Sequence, residues 1–320
     1  MTFSSAEKMR PRRRADACLV AIVVIVILPA SCSSGRKGSV PDKDPVRPPP
    51  IVVGSFDFSE SRILAEIYAL VLEGQGYRVE RLAKVASREL MTPALVQSFV
   101  DLVPEYQGTA LAFRTLGRQV APSGARATHQ RLAEAFASDA ISVLDFASAE
   151  NKNEVVVTRE TSARLHLETI SDLQDVAPRL VFGGPPECPA RPLCLAGLEA
   201  AYELHFETFR PLDAGGPLTV AALEGGEVDV GILFTTSPAI LEKDLVVLED
   251  DRGLQPSENI VPVVRKEIVD RYGQDFIDLV DSVTHLLSTE ELRELNKRVE
   301  IVGDGVEKVA RAWIASQGLS

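Results

Sequence analysis

The chain has 320 residues, of which 45% are apolar and 25% are charged, and its formal net charge is −12. This balance is close to the average of soluble globular proteins, and the length suggests two domains or two lobes. The negative charge argues against a nucleic-acid partner, and no Lys/Arg-rich run follows the first fourteen residues.

The N-terminus has the three-part pattern of a secretory signal. Basic residues between Lys8 and Arg14 precede the uncharged apolar run 18–28, and small residues then lead to Cys32. Residues 1–31 are therefore predicted to be a signal peptide. Their apolar run is too short to span a bilayer comfortably as a mature helix. The small residues before Cys32 resemble a bacterial lipobox, although Pro29 stands where leucine is preferred. We predict acylation of Cys32, with plain signal cleavage as the alternative.

The predicted export places the mature protein outside the cytoplasm, lipid-anchored to the outer face of the cell membrane. Residues 32–50 are rich in Ser, Gly, Pro and charge and lack apolar periodicity, which is typical of a flexible tether. The folded body is expected to begin at Ile51.

The first half of the body alternates strand and helix patterns. Residues 51–53 are predicted to form a strand that ends in a turn at Gly54, followed by a helix capped near Ser59 that ends at Gly74 or Gly76. Further strands are predicted at 77–85 and 100–103, separated by a helix at 90–99. The run DLVPEYQGTAL (101–111) then predicts a corner at residues 104–106 and a helix start.

The second half repeats the alternation. Strands are predicted at 154–157, 179–182, 207–212, 227–234, 245–249 and 260–264, and helices at 171–173, 195–204 and 218–223, with a helical remainder. The fold class is thus α/β, with two mostly parallel sheets and a ligand cleft between two hinged lobes. The predicted lobes are 51–153 plus 262–320, and 154–261.

Two cysteines remain in the body, Cys188 and Cys194. An exported compartment is oxidising, so a short-loop disulfide between them is the default prediction. A metal site is the alternative, but the four histidines are scattered singly along the chain.

The sequence contains none of the common catalytic motifs. GxSxG, HExxH, the Walker phosphate loop and CxxC are absent, and Gly183-Gly184 lacks dinucleotide-binding spacing. We therefore predict a protein that is not an enzyme and that needs no cofactor or metal.

Aromatic and polar residues near the predicted strand ends suggest a binding site instead. Ligands of α/β proteins bind beyond the carboxyl ends of strands. The set comprises Phe56, Phe58, Tyr106, Thr109 and Phe234. The faces of such rings attract quaternary ammonium groups, whereas Arg191 could bind a carboxylate. Core packing is the simpler alternative for the phenylalanines, and a half-buried turn residue for Tyr106.

Several segments in this order resemble the substrate-binding lipoproteins of osmoprotectant importers, which serve ATP-driven transporters. They are GSFDFSESRILAEIYALVLEGQGY, DLVPEYQGTAL, ENKNEVVVT, GPPECPARPLCLAGLE and GEVDVGILFTTSPAI. The resemblance implies a two-lobed type II periplasmic-binding fold that closes on its ligand. It also implies a cage from Phe58, Tyr106 and Phe234, a hydroxyl from Thr109 and a carboxylate-binding Arg191.

The sequence departs from this family pattern at the cage. Val103 replaces the first tyrosine of the YPEY motif, Phe234 replaces a strand-end tyrosine, and a further tyrosine is replaced near Glu154, which could add negative charge beside the cation. The expected ligand is glycine betaine, choline, carnitine or a related osmolyte. An ABC-transporter permease is the expected partner, and the receptor is expected to be a monomer. An amino acid, an aromatic ligand or an exported enzyme remain the alternatives.

Overall fold

The structure, a computed structural model, describes residues 48–117 and 124–319. The predicted signal peptide, Cys32 and most of the predicted tether lie outside these described residues. Within them, no helix is both long enough and apolar enough to cross a bilayer.

The described chain alternates strands and helices as its sequence pattern predicts. The strands are β1 (Ile51–Phe56), β2 (Val79–Val85), β3 (Leu102–Tyr106), β4 (Ile141–Val143), β5 (Asn153–Thr158), β6 (Val181–Gly184), β7 (Thr208–Pro211), β8 (Val230–Phe234), β9 (Leu245–Val247) and β10 (Ile260–Arg265). The helices are α1 (Ser59–Gly74), α2 (Arg88–Val96), α3 (Gln107–Thr115), α4 (Ala125–Phe136), α5 (Arg159–Leu165), α6 (Leu195–Tyr202), α7 (Pro217–Glu224), α8 (Ala239–Glu242), α9 (Lys266–Tyr272), α10 (Gln274–Thr284), α11 (Thr289–Glu300) and α12 (Val306–Gln317).

The strands form two five-stranded sheets, in the orders β2-β1-β3-β10-β4 and β7-β6-β8-β5-β9. We call each sheet with its packed helices a lobe. The chain passes from the first sheet to the second between β4 and β5, and it returns between β9 and β10. The two-lobed α/β class is confirmed, but each sheet contains two parallel and two antiparallel pairings. The sheets are therefore mixed rather than mostly parallel. The residue limits predicted for the lobes stay a prediction.

Both faces of each sheet are covered by helices, which explains why the central strands are almost continuously apolar. In the first lobe, α1 and the C-terminal helices cover one face, and α2, α3 and α4 cover the other. Helix α1 buries nearly its whole length. Its Tyr68 hydroxyl pairs with Thr284 of α10 at 2.8 Å, which satisfies a polar group inside this core.

Two local predictions about turns are wrong. Gly54 lies inside β1 rather than in a turn. A glycine is needed there because an added Cβ would lie 2.8 Å from the Val100 side chain. Pro104 lies within β3 rather than at a corner. It stands opposite Pro262 of β10, so the two residues that lack an N–H face each other in the sheet.

The short loop before α6 is closed by a disulfide between Cys188 and Cys194. Helix α6 packs tightly against this loop, because a Cβ added at Gly197 would lie 2.0 Å from the Pro192 carbonyl oxygen. The loop and the helix therefore form one tightly packed unit.

Replacing Gly197 with alanine should destabilise the protein by about 1–3 kcal/mol, because the methyl group must displace the backbone of the loop. Equilibrium unfolding in urea measures this change. The matched control is Gly74→Ala at the end of α1, where an added Cβ meets nothing within 4 Å. The control should be neutral or slightly stabilising, and equal effects of the two substitutions would contradict the packing argument.

Candidate functional site

A cavity of about 900 Å³, including its open mouth, is lined by residues of both lobes. Six of the seven residues predicted to bind a ligand line it, namely Phe56, Phe58, Tyr106, Thr109, Arg191 and Phe234. Strand ends supply half of this set, because Phe56, Tyr106 and Phe234 are the last residues of β1, β3 and β8. The cavity thus lies where the ends of the central strands of both sheets meet.

The aromatic rings form one connected group that spans the lobes. The Phe58 centroid lies 5.8 Å from that of Tyr106 and 5.4 Å from that of Phe234. Phe56 stacks on the outer side of Phe58 at 6.2 Å. All three contacts have the spacing of favourable aromatic pairs. Phe58 therefore contacts rings from both lobes.

The Tyr106 ring is held by its hydroxyl group, which donates to Glu60 at 2.9 Å. Glu60 is completely buried and also accepts from the side-chain amides of Asn151 at 2.7 Å and Asn296 at 2.9 Å. Burial raises the pKa of Glu60, and these donors oppose the rise. Because the Tyr106 hydroxyl donates its proton to Glu60, Tyr106 can offer a ligand its ring but no hydrogen-bond donor.

Thr109 uses its hydroxyl within the protein. The Thr109 hydroxyl donates to Glu258, and the Gly108 N–H donates to the same carboxylate at 3.1 Å. Burial raises the pKa of Glu258 to about 7. Thr109 lines the cavity as predicted, but its hydroxyl oxygen is left to the ligand only as an acceptor.

Arg191 lies in the disulfide loop and reaches across to the first lobe. Its Nη2 donates to Glu89 of α2 at 2.8 Å, and its guanidinium lies 5.4 Å from the centre of the Phe113 ring. Its Nε is buried and has no hydrogen-bond partner among the described residues. Arg191 itself is one of the residues that line the cavity.

A second arginine in the cavity wall is not evident from the sequence. Arg88 is almost fully buried and forms an ion pair with Glu105 at 2.7 Å. Its guanidinium also lies 5.1 Å from the centre of the Phe56 ring. The charge of Arg88 is therefore neutralised inside the protein, and its role there is to support the ring group.

The prediction that Glu154 contacts the ligand is not supported by its position. Side chains alternate along β5, and Asn153, opposite Phe234 in the sheet, lines the cavity. Glu154 accepts instead from the Thr235 hydroxyl at 3.0 Å and is absent from the described cavity wall. Its half-buried carboxylate has a raised pKa because of desolvation. Ligand contact by Glu154 stays a prediction, and the neighbouring Asn153, which lines the cavity, was not singled out in the sequence.

A two-lobed fold with an aromatic cavity between the lobes is typical of extracytoplasmic solute receptors. A family model for the substrate-binding domain of ABC-type glycine betaine transport systems matches residues 49–316. The chain belongs to this family, and the resemblance suspected from its sequence motifs is confirmed.

Among individual relatives, the Helicobacter pylori (strain G27) protein "ergothioneine transport permease/ergothioneine binding protein EgtU" is 26% identical over 318 residues, or 99% of this chain. This chain spans only 55% of that protein's length. The glycine-betaine-binding protein of Pseudomonas aeruginosa is 29% identical over 279 residues, which cover 83% of this chain and 88% of that protein.

Solved structures share the fold. A glycine betaine/carnitine/choline ABC transporter structure has a TM-score of 0.65 at 24% identity, covering 84% of this chain and 99% of that chain. A choline-binding protein in complex with choline has a TM-score of 0.63 at 15% identity, covering 84% of this chain and 88% of that chain. The fold is that of the type II periplasmic binding proteins.

The buried Glu258 should make stability depend on pH. Its folded pKa of about 7 lies above the ordinary value of 4.5, so the folded state retains a proton that the unfolded state loses between these pH values. The contribution of Glu258 to stability should therefore fall as pH rises from 4.5 to 7, by on the order of 3 kcal/mol.

Urea unfolding at several pH values, compared between the wild type and Glu258→Gln, isolates this contribution. The glutamine can accept from the Gly108 N–H and donate to Thr109, so its fold should persist. Parallel pH profiles for the two proteins would show that Glu258 does not titrate in this window.

Proposed function

We propose that this protein is an extracytoplasmic receptor that captures a quaternary-ammonium solute and delivers it to an ABC-transporter permease. The observation that carries the proposal is the ring group of Phe58, Tyr106 and Phe234, which faces one cavity from both lobes. Family membership and the functions named for the relatives support the same class of ligand.

The ring faces would bind the cationic end of the ligand. Each cation–π contact contributes about 0.5–2 kcal/mol, depending on how fully water is excluded. A quaternary ammonium group cannot donate hydrogen bonds, so it loses little on entering an apolar ring group. A hydrated metal ion would have to give up its water ligands there. The rings therefore select for a methylated ammonium.

The unpaired Arg191 Nε would bind a carboxylate at the other end of the ligand. A charge-assisted hydrogen bond to that N–H would satisfy a buried donor that now lacks a partner. The Nη2 could remain on Glu89 while the ligand occupies Nε. A betaine-type ligand, with both charges, thus matches the site better than a simple cation.

Because Phe58 and Tyr106 belong to the first lobe and Phe234 and Arg191 to the second, a bound ligand would contact both lobes. A ligand favours closure only through contacts that are better in the closed state. The cross-lobe contacts of Phe58 with Phe234 and of Arg191 with Glu89 belong to such a state. We further propose that the predicted lipid anchor at Cys32 keeps the receptor near its permease.

Which betaine the receptor binds best would depend on the volume of the cavity between the rings and Arg191. Phe113, Pro192 and Leu193 line the cavity next to Arg191 and add apolar wall. Glycine betaine, the smallest candidate, would leave part of this wall uncovered, whereas carnitine or ergothioneine extends further from its trimethylammonium group. We therefore place the longer betaines alongside glycine betaine in the ligand panel.

Isothermal titration calorimetry against glycine betaine, carnitine, ergothioneine, choline and proline tests the proposal. We expect binding by at least one trimethylammonium compound and a loss of at least about tenfold in Phe234→Leu, which keeps apolar volume but removes a ring face. Phe209→Leu is the matched control, because Phe209 packs on Phe182 away from the cavity. Absence of binding by every trimethylammonium compound to the folded protein would refute the proposed ligand class.

Substitution of Arg191 with glutamine separates the two ends of the ligand. Affinity for a carboxylate-bearing betaine should fall by at least about tenfold, whereas affinity for choline should change by less than about threefold. Arg210→Gln is the control, because that arginine pairs with Glu227 on the exposed surface. Equal losses for choline and the betaine would mean that Arg191 acts through lobe closure and not through the carboxylate.

A further inference from the structure

A second cavity lies behind the ring group. It encloses about 540 Å³, including its mouth, and shares Phe58 and Phe234 with the ligand cavity. These two rings therefore separate the cavities. About half of the wall of the second cavity is polar, whereas the wall of the first is mostly apolar.

Acidic side chains dominate this second wall. Its carboxylates belong to Asp57, Glu60, Asp213 and Glu300, and Arg62 is the cationic residue among the described lining residues. Asp213 is occupied as a cap of α7, accepting from the N–H groups of residues 218 and 219. Glu300 interacts with the side chain of Ser59 through a hydrogen bond. The wall thus carries more negative than positive side chains, and Glu300 is a carboxylate in it that has no ion-pair partner among the described residues.

Three further oxygens in the wall are buried and make no hydrogen bond among the described residues, namely Thr236 Oγ1, Asn296 Oδ1 and Ser237 Oγ. Asn296 and Ser237 are 3% and 4% exposed, whereas Thr236 lies beside Glu60 and lowers the pKa of that carboxyl group. The Asn296 amide cannot turn over to pair its oxygen, because its Nδ2 donates to Glu60 at 2.9 Å and to the Thr236 carbonyl at 3.3 Å. Asn296 Oδ1 is therefore an unpaired acceptor in the wall, independently of how the Ser237 hydroxyl is oriented.

The raised pKa of Glu300 shows that its negative charge is poorly compensated in this cavity. Burial, together with the neighbouring carboxylates of Glu60 and Asp213, raises the pKa of Glu300 to about 7. A cation in the cavity would offset both effects and would supply what the unpaired oxygens lack.

We propose that this second cavity is a binding site for a small monovalent cation, K⁺ or Na⁺, held by Glu300, Asn296 Oδ1 and Ser237 Oγ. The mixture of one available carboxylate with neutral amide and hydroxyl oxygens suits a singly charged ion. A divalent ion needs more charge, and the described residues contain no group of three or more His, Cys, Asp or Glu side chains placed to hold a metal.

Thermal unfolding of the full chain without organic ligand tests this site. We compare KCl, NaCl and N-methyl-D-glucamine chloride at equal ionic strength, because the charged nitrogen of the last cation carries substituents that keep it from being surrounded by the three oxygen ligands. At a concentration about ten times the Kd, KCl or NaCl should raise the midpoint by about 3 °C over the bulky cation, and the rise should saturate.

Two variants assign the effect to the cavity. The cation-specific rise should vanish in Glu300→Gln and shrink in Ser237→Ala, which removes a hydroxyl that has no described protein partner. Glu294→Gln, an equal charge change at an exposed position of the same helix, should keep the full rise. Equal midpoints in all three salts, or a rise that survives both cavity variants, would overturn the proposal. Neither result depends on the organic ligand.

Discussion

The buried carboxylate of Glu60 is the interaction on which the arrangement of the site depends. A buried charge is costly unless hydrogen bonds replace its water. Here the donors come from β3, from the segment between the lobes and from α11, through Tyr106, Asn151 and Asn296. The positive N-terminal end of α1 adds to them, because Glu60 lies in its first turn. One charge thus fixes a cage ring relative to the interlobe connection.

This arrangement explains why Tyr106 differs from its neighbours Phe58 and Phe234. The phenylalanines are positioned by packing alone, whereas the tyrosine is tied to the interlobe connection by its hydroxyl. A change in the connection would therefore move the Tyr106 ring directly. The Tyr106–Glu60 hydrogen bond therefore links the position of the Tyr106 ring to the segment between the lobes.

Tyr106 and Phe234 could be singled out from the sequence because each ends an apolar strand, where ligands of α/β folds bind. The sequence was insufficient for Asn153 and Glu154, because a shift of one residue in a strand exchanges its two faces. Arg88 and Glu105 could not be predicted either, since buried charges are rare and their pairing depends on tertiary contacts. Gly54 was assigned to a turn because the close approach of Val100 is visible only in the folded chain.

Paired charges keep the ligand cavity compatible with a cation. Two guanidinium groups in the wall would repel a quaternary ammonium if they were free, but Arg88 pairs with Glu105 and Arg191 with Glu89. The second pair also joins the lobes, and the disulfide fixes the loop that carries it. Because Glu89 is about half exposed and Arg191 largely buried, a ligand carboxylate at Nε would be less screened than the pair itself. The loop would therefore favour a negatively charged group at the Arg191 end of the cavity, whereas the rings at the other end carry no net charge.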